Sequence, residues 1–145
     1  MKKGKVLAIV ISAVVLVAAG FYFVGNKYYS DSRIIKEQWH LTLPGDAKKQ
    51  YYISSQGALG DGSTYTVYQS KDISFLGKMS SLKNTKMQNS ISEILRNLHV
   101  DSDKYPNFSH PYEWKILSMK DDNRNKLYAV YDTQASLLYL VQDLY

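Results

Sequence analysis

The chain contains no cysteine. That absence excludes disulfide staples, thiol nucleophiles, thiolate metal ligands and a lipid anchor on cysteine. Histidine is nearly as scarce: His40, His99 and His110 are the three, and none sits in an H-E-x-x-H or i,i+4 arrangement. There is no G-x-S-x-G elbow, and closely spaced carboxylates occur as Asp101/Asp103 and Asp121/Asp122, both in loop-like sequence. Asp101-Ser102-Asp103 opens like a calcium loop, but Tyr105, Pro106 and Tyr112 stand where an oxygen ligand, a glycine and the closing glutamate are required. No metal site, cofactor site or catalytic residue is therefore expected. With three prolines, eight glycines and no internal repeat, the chain also lacks low-complexity linkers.

The absence with the largest consequence is of charge. From Val6 to Val24 the 19 residues VLAIVISAVVLVAAGFYFV carry none. As a helix rising ~1.5 Å per residue the run is about 28 Å long, close to the ~30 Å of a bilayer core. Phe21, Tyr22, Phe23, Tyr28 and Tyr29 gather at its far end, where aromatic rings favour the headgroup zone. Lys2, Lys3 and Lys5 precede it, which by the positive-inside rule keeps residues 1–5 cytoplasmic and sends the remainder outside. The alternative is a secretory signal cut after Val17-Ala18-Ala19; the apolar run continues past Ala19, which favours a retained anchor. The reading is residues 1–5 as a basic tail, 6–24 as a transmembrane helix, 25–36 as a connector and 37–145 as an extracytoplasmic domain.

Of the 18 basic residues, Lys2, Lys3, Lys5 and Lys27 flank the apolar run, and the other 14 face 13 acidic side chains. The basic balance is thus an anchoring signature, and nucleic acid, which requires a concentrated basic face, is not an expected partner. From Tyr28 onward 118 residues remain, enough for one domain with its own core. A cysteine-free outer domain rich in Lys, Asn, Ser and Tyr fits a Gram-positive cell envelope by composition.

Period-2 patterning dominates that domain. Strands are expected at Glu37–Leu43, Gln50–Ser55, Thr64–Gln69, Glu113–Lys120, Lys126–Asp132 and Leu137–Gln142, bounded by turn sequences such as Pro44-Gly45-Asp46. One helix interrupts them: between Asn84 and Leu98, Met87, Ile91, Ile94, Leu95 and Leu98 form a single apolar stripe. The expected fold is α+β, a β-β-β-α-β-β-β order forming one antiparallel sheet with the helix on one face. Lys126–Asp132 is apolar on both faces, so something besides the helix is expected to cover one of them.

Gln56–Ser63 (QGALGDGS) looks like a phosphate loop but lacks the following Lys-Ser/Thr and leads into a strand, not a helix. It reads as a turn, with Asp61-Gly62 supplying a positive-φ position. The segment from Tyr105 to Trp114 concentrates rings around Pro106 and Pro111. Rigid aromatics lose little entropy on association, which makes Tyr105, Phe108, His110, Tyr112 and Trp114, together with Leu59 and Asp61 of the Gly-rich loop, the candidate partner-binding residues.

The segments WHLTLP, GALGDGSTY, FSHPYEW and LYAVYDTQASLLYLVQ together resemble small, mostly uncharacterised Gram-positive extracytoplasmic proteins, some of immunity type that bind a secreted toxin. The resemblance implies a binding role without catalytic residues. The expected function is that of a single-pass, membrane-anchored binding domain, an immunity or cell-envelope interaction protein. It would hold the bilayer through residues 6–24 and a protein partner at the outer surface. The alternatives are an assembly accessory of a membrane complex and, least favoured, a small envelope hydrolase.

Overall fold

The computed structural model describes residues 11–19 and 31–145. Residues 11–19 are helical (α1), with the side chains of Val14, Val15 and Leu16 exposed. No described helix is long and apolar enough to cross a membrane; the rest of the expected 6–24 span, the basic tail and residues 25–30 of the connector lie outside the described residues.

From Asp31 the chain is an α+β fold. Helix α2 (Asp31–Trp39) precedes strands β1 (Lys48–Ser54) and β2 (Gly62–Gln69); helix α3 (Thr85–Asn97) then leads to β3 (Tyr112–Ser118), β4 (Lys126–Asp132) and β5 (Leu137–Leu144). The five strands form one antiparallel sheet in the order β1-β2-β5-β4-β3, so the β3-β4-β5 meander docks through β5 onto the β1-β2 hairpin.

The expected strand at Glu37–Leu43 is not formed. Asp31, Ile35 and Trp39 are the buried positions there, one stripe at four-residue spacing, and helix α2 places it on the sheet. The apparent alternation of Trp39, Leu41 and Leu43 spans a helix end and a loop. His40, at φ 55°, ends α2 in the left-handed region, after which Leu41 turns back into the core. The chain order is therefore α-β-β-α-β-β-β, and helices cover both faces of the sheet. Residues 31–36, assigned to the connector, are helical, and Ile35 is wholly buried.

Two cores result. Towards α3, Met87, Ile91, Ile94, Leu95 and Leu98 pack on Tyr65, Val67, Tyr128, Val130, Tyr139 and Val141. Towards α2, Ile35, Trp39 and Leu41 join Leu76 over Tyr68, Leu127, Ala129, Tyr131, Leu138 and Leu140. The two-faced apolarity of β4 has this cause. The α3 boundaries follow from its caps. Asn84 Oδ1 accepts the Met87 amide at 2.9 Å. At the other end His99, φ 58°, forms a Schellman turn: its amide reaches Arg96 O, and that of buried Val100 reaches Leu95 O, both at 3.0 Å.

Polar contacts pin α2 to the sheet. The buried Asp31 carboxylate accepts from Lys49 Nζ and from Tyr68 Oη. Burial, and then this carboxylate, push the Tyr68 phenol well above its ordinary range. At the other end of α2, Trp39 Nε1 donates to Gln142 Oε1 at 2.8 Å inside the core.

Candidate interaction surface

The segment from Val100 to Trp114 is held by the core it borders. Tyr65 Oη donates to Lys104 O at 2.6 Å, below buried Pro106. Phe108 and Tyr112 meet edge to face, centroids 5.3 Å apart, and Gln88 Nε2 donates to Tyr112 Oη at 2.7 Å. Tyr105, Phe108, Tyr112 and Trp114 are all half-buried flanks of the α3 core. His110 Nδ1 lies 2.7 Å from Asp132 Oδ2, while Asp132 Oδ1 accepts the amides of Gln134 and Ala135 at 2.9 and 2.8 Å. A buried carboxylate with three partners clamps the loop to the β4-β5 turn. Among the described residues no group of three or more His, Asp or Glu is placed to hold a metal.

Leu59 and Asp61 stand elsewhere. The turn closes through Gly57 N to Asp61 O at 3.1 Å and Gly60 N to Gly57 O at 3.0 Å. Gly62 is required at φ 117°, since a Cβ there would meet Ser55 O at 2.9 Å. Leu59 is 95% exposed at the tip. Register fixes the separation: Gly62 pairs with Leu144, whereas at the other end of the sheet Gln69 pairs with Leu137, which pairs with Asp132 and through it with Tyr112. At ~3.3 Å per residue the two ends of the sheet, one bearing the tip and the other Tyr112, lie about 23 Å apart along the strands. The aromatic segment and the Gly-rich loop therefore do not make one surface.

Sequence reasoning missed a recess at the outer edge of β3. Trp114 N donates to Ser80 O at 2.8 Å and its carbonyl accepts from Ser80 N at 2.9 Å, an isolated bridge between the segment leading to α3 and the edge strand. Trp114 Nε1 donates to Leu82 O at 2.6 Å. Beside this bridge opens a recess of about 510 Å³, lined by Lys78, Met79, Leu82, Trp114, Lys115 and Ile116 among others. Leu82 is 75% exposed and Ile116 37%, the pair of large apolar side chains left uncovered on one rim. Lys78 and Lys83 are exposed around it, Lys115 donates to Leu76 O at 2.6 Å, and Glu113 is the sole acid in segments 78–83 and 112–118. The sequence signal was available in Leu82, an apolar residue between Ser81 and Lys83 just ahead of a helix cap.

Two further recesses are lined by groups with partners inside the fold, Asp46 in one and Arg124 and Asp143 in the other. In the one lined by Lys48, Lys71 and Ser136, Asp46 accepts from Ser70 Oγ and the Lys71 amide, which hold its carboxyl below the ordinary range. In the one lined by Arg124 and Tyr145, Arg124 pairs with Asp122, whose carboxyl it draws down to about 2, and Asp143 accepts from Ser63 and Tyr145. The chain matches no family model, no curated protein and no solved structure.

Proposed function

We propose that this chain is a single-pass, membrane-anchored extracytoplasmic binding domain, a cell-envelope interaction or immunity protein, which meets a protein partner at the outer surface without catalysing a reaction. The observation that carries the reading is the pairing of two uncovered apolar surfaces at separate places. Residues 11–19 are helical and apolar, with Leu16 73% exposed, so the folded domain does not cover them; a surface of that kind calls for a membrane or a partner. The recess at β3 has the composition of an interface core, one tryptophan and two aliphatic side chains within a polar rim. His110 and Asp132 serve the loop clamp, and no nucleophile is hydrogen-bonded to that pair among the described residues.

A fractionation and shaving experiment tests the anchor: the full-length chain should stay with carbonate-washed membranes, and protease added to protoplasts should remove its C-terminal domain. A mature chain starting near Gly20, or full protection, refutes it. Photo-crosslinking from position 82 tests the surface. A specific adduct that is absent when the crosslinker is moved to position 96 on the exposed side of α3 supports the binding site; equal adducts from both refute it.

A further inference from the structure

The backbone of β3 indicates what kind of partner segment the recess takes. Both backbone groups of Trp114 point away from β4, because they bond Ser80. In an antiparallel ladder, residues two apart point the same way. Ile116 and Ser118 therefore also direct their N–H and C=O outward, and the single Ser80 bridge does not extend to cover them. Among the described residues no backbone group bonds these two N–H and two C=O groups. Ile116 lines the recess, as do exposed Lys78 and Leu82, and exposed Lys83 follows Leu82 in the chain.

We infer that the β3 edge from Ile116 to Ser118 accepts an acidic, extended peptide segment of the partner, which adds to the sheet as a strand and sets an apolar side chain between Leu82 and Ile116. The inference rests on the binding-domain reading and names the partner's chemistry. Charge selects the occupant. A second copy of this chain would bring the same lysines face to face, and like charges across a strand pair are destabilising, whereas carboxylates on alternate residues meet the lysines. The opposite edge is guarded differently. β1 is bulged between Lys49 and Tyr51 and its Lys49 is committed to Asp31; a bulge and lysines are devices that close an edge to pairing.

The test titrates the full-length labelled chain, in nanodiscs of neutral lipid, with three capped peptides: alternating Glu-Val, alternating Lys-Val, and Glu-Val N-methylated at alternate amides. Amide shifts should appear at Leu82 and from Trp114 to Ser118 with the first peptide, and affinity should drop at least tenfold with each of the others. Ile116→Pro, which removes one outward N–H while sparing the β4 ladder, should abolish the response. The Lys78→Glu, Lys83→Glu double variant, altered at exposed positions, should transfer the preference to the Lys-Val peptide. Equal responses to all three peptides, no response, or shifts confined to another surface overturn the inference. If crosslinking from position 82 still finds a partner in that case, strand addition is wrong and the binding-domain reading survives; if it also fails, both fall.

Discussion

The hydrogen bond from Trp39 Nε1 to Gln142 Oε1, 2.8 Å long and buried, fastens α2 to the sheet. Trp39→Phe keeps an aromatic ring but removes the donor, leaving a buried amide oxygen unpaired, at a cost of about 1–3 kcal/mol. The smaller ring also forfeits part of the ~3–5 kcal/mol that truncating a buried tryptophan to alanine costs, about 1 kcal/mol on that scale. The single variant should therefore lose roughly 2–4 kcal/mol, a large share of the ~5–15 kcal/mol available to such a domain. Gln142→Leu leaves the indole N–H unpaired instead and should lose a similar amount to the first of these terms. Replacing both partners by apolar groups is close to neutral, so the double variant should be at least ~2 kcal/mol more stable than the sum of the singles. Urea unfolding of the full-length chain, followed by far-ultraviolet circular dichroism, measures all three. Additivity within ~0.3 kcal/mol would mean that α2 does not seat Trp39 against Gln142.

Leu95, wholly buried beneath α3, should cost ~2–5 kcal/mol on replacement by alanine in the same assay; a change under ~0.5 kcal/mol would mean the stripe is exposed. Thr66→Val should stabilise by about 1 kcal/mol, because Thr66 Oγ1 is buried without a hydrogen-bond partner among the described residues; a loss of stability would reveal a partner for the hydroxyl. Burial pushes the Tyr65 phenol far above its ordinary value, and Tyr68 is raised likewise, so both stay protonated in the folded chain where the unfolded chain ionises near pH ~10. Their contribution is whole below that pH and is lost as pH rises past it, since the unfolded state then binds fewer protons. Urea midpoints should therefore fall from pH ~10 upward, and Tyr68→Phe should flatten the fall; an unchanged slope would refute the assignment.

What was legible in the sequence was decided by local periodicity. The α3 stripe and its Asn84 cap are written in consecutive turns, and β4 and β5 carry the unbroken apolar runs Leu127–Tyr131 and Leu137–Val141 because both faces are covered. Glu37–Leu43 misled because Trp39, Leu41 and Leu43 alternate in sequence, while the positions that decide the helix, Asp31 and Ile35, lie upstream among charged residues. A nine-residue helix with a narrow stripe is marginal on its own and exists through packing on the sheet. The candidate surface was partly legible. Trp114 lines the recess, but Tyr105, Phe108 and Tyr112 turned inward, and prolines that stiffen a loop for a partner serve equally to lay it against a core. The recess itself arises from Ser80 meeting Trp114 across 34 positions of chain, which no local pattern encodes.

The direction of α2 gives the domain two poles. The helix starts beside Lys49 and Tyr68 and ends beside Gln142, which pairs with Thr64, so the chain enters at the Gln69 end of β2 and the Leu59 tip lies at the other. On the anchored reading, residues 25–30 separate Val24 from Asp31, and those seven steps reach at most about 25 Å at ~3.3–3.6 Å each. The Lys49 end is then tied within that distance of the outer leaflet, and the tip lies about 23 Å from that end along the strands. Along β3, Tyr112 lies at the tethered end and Ser118 at the far one, with Ile116 between. A partner strand seated on Ile116 and Ser118 would thus lie towards the end of the sheet away from the tether. The aromatic loop from Tyr105 to Trp114 lies nearer the tether and is committed to the core.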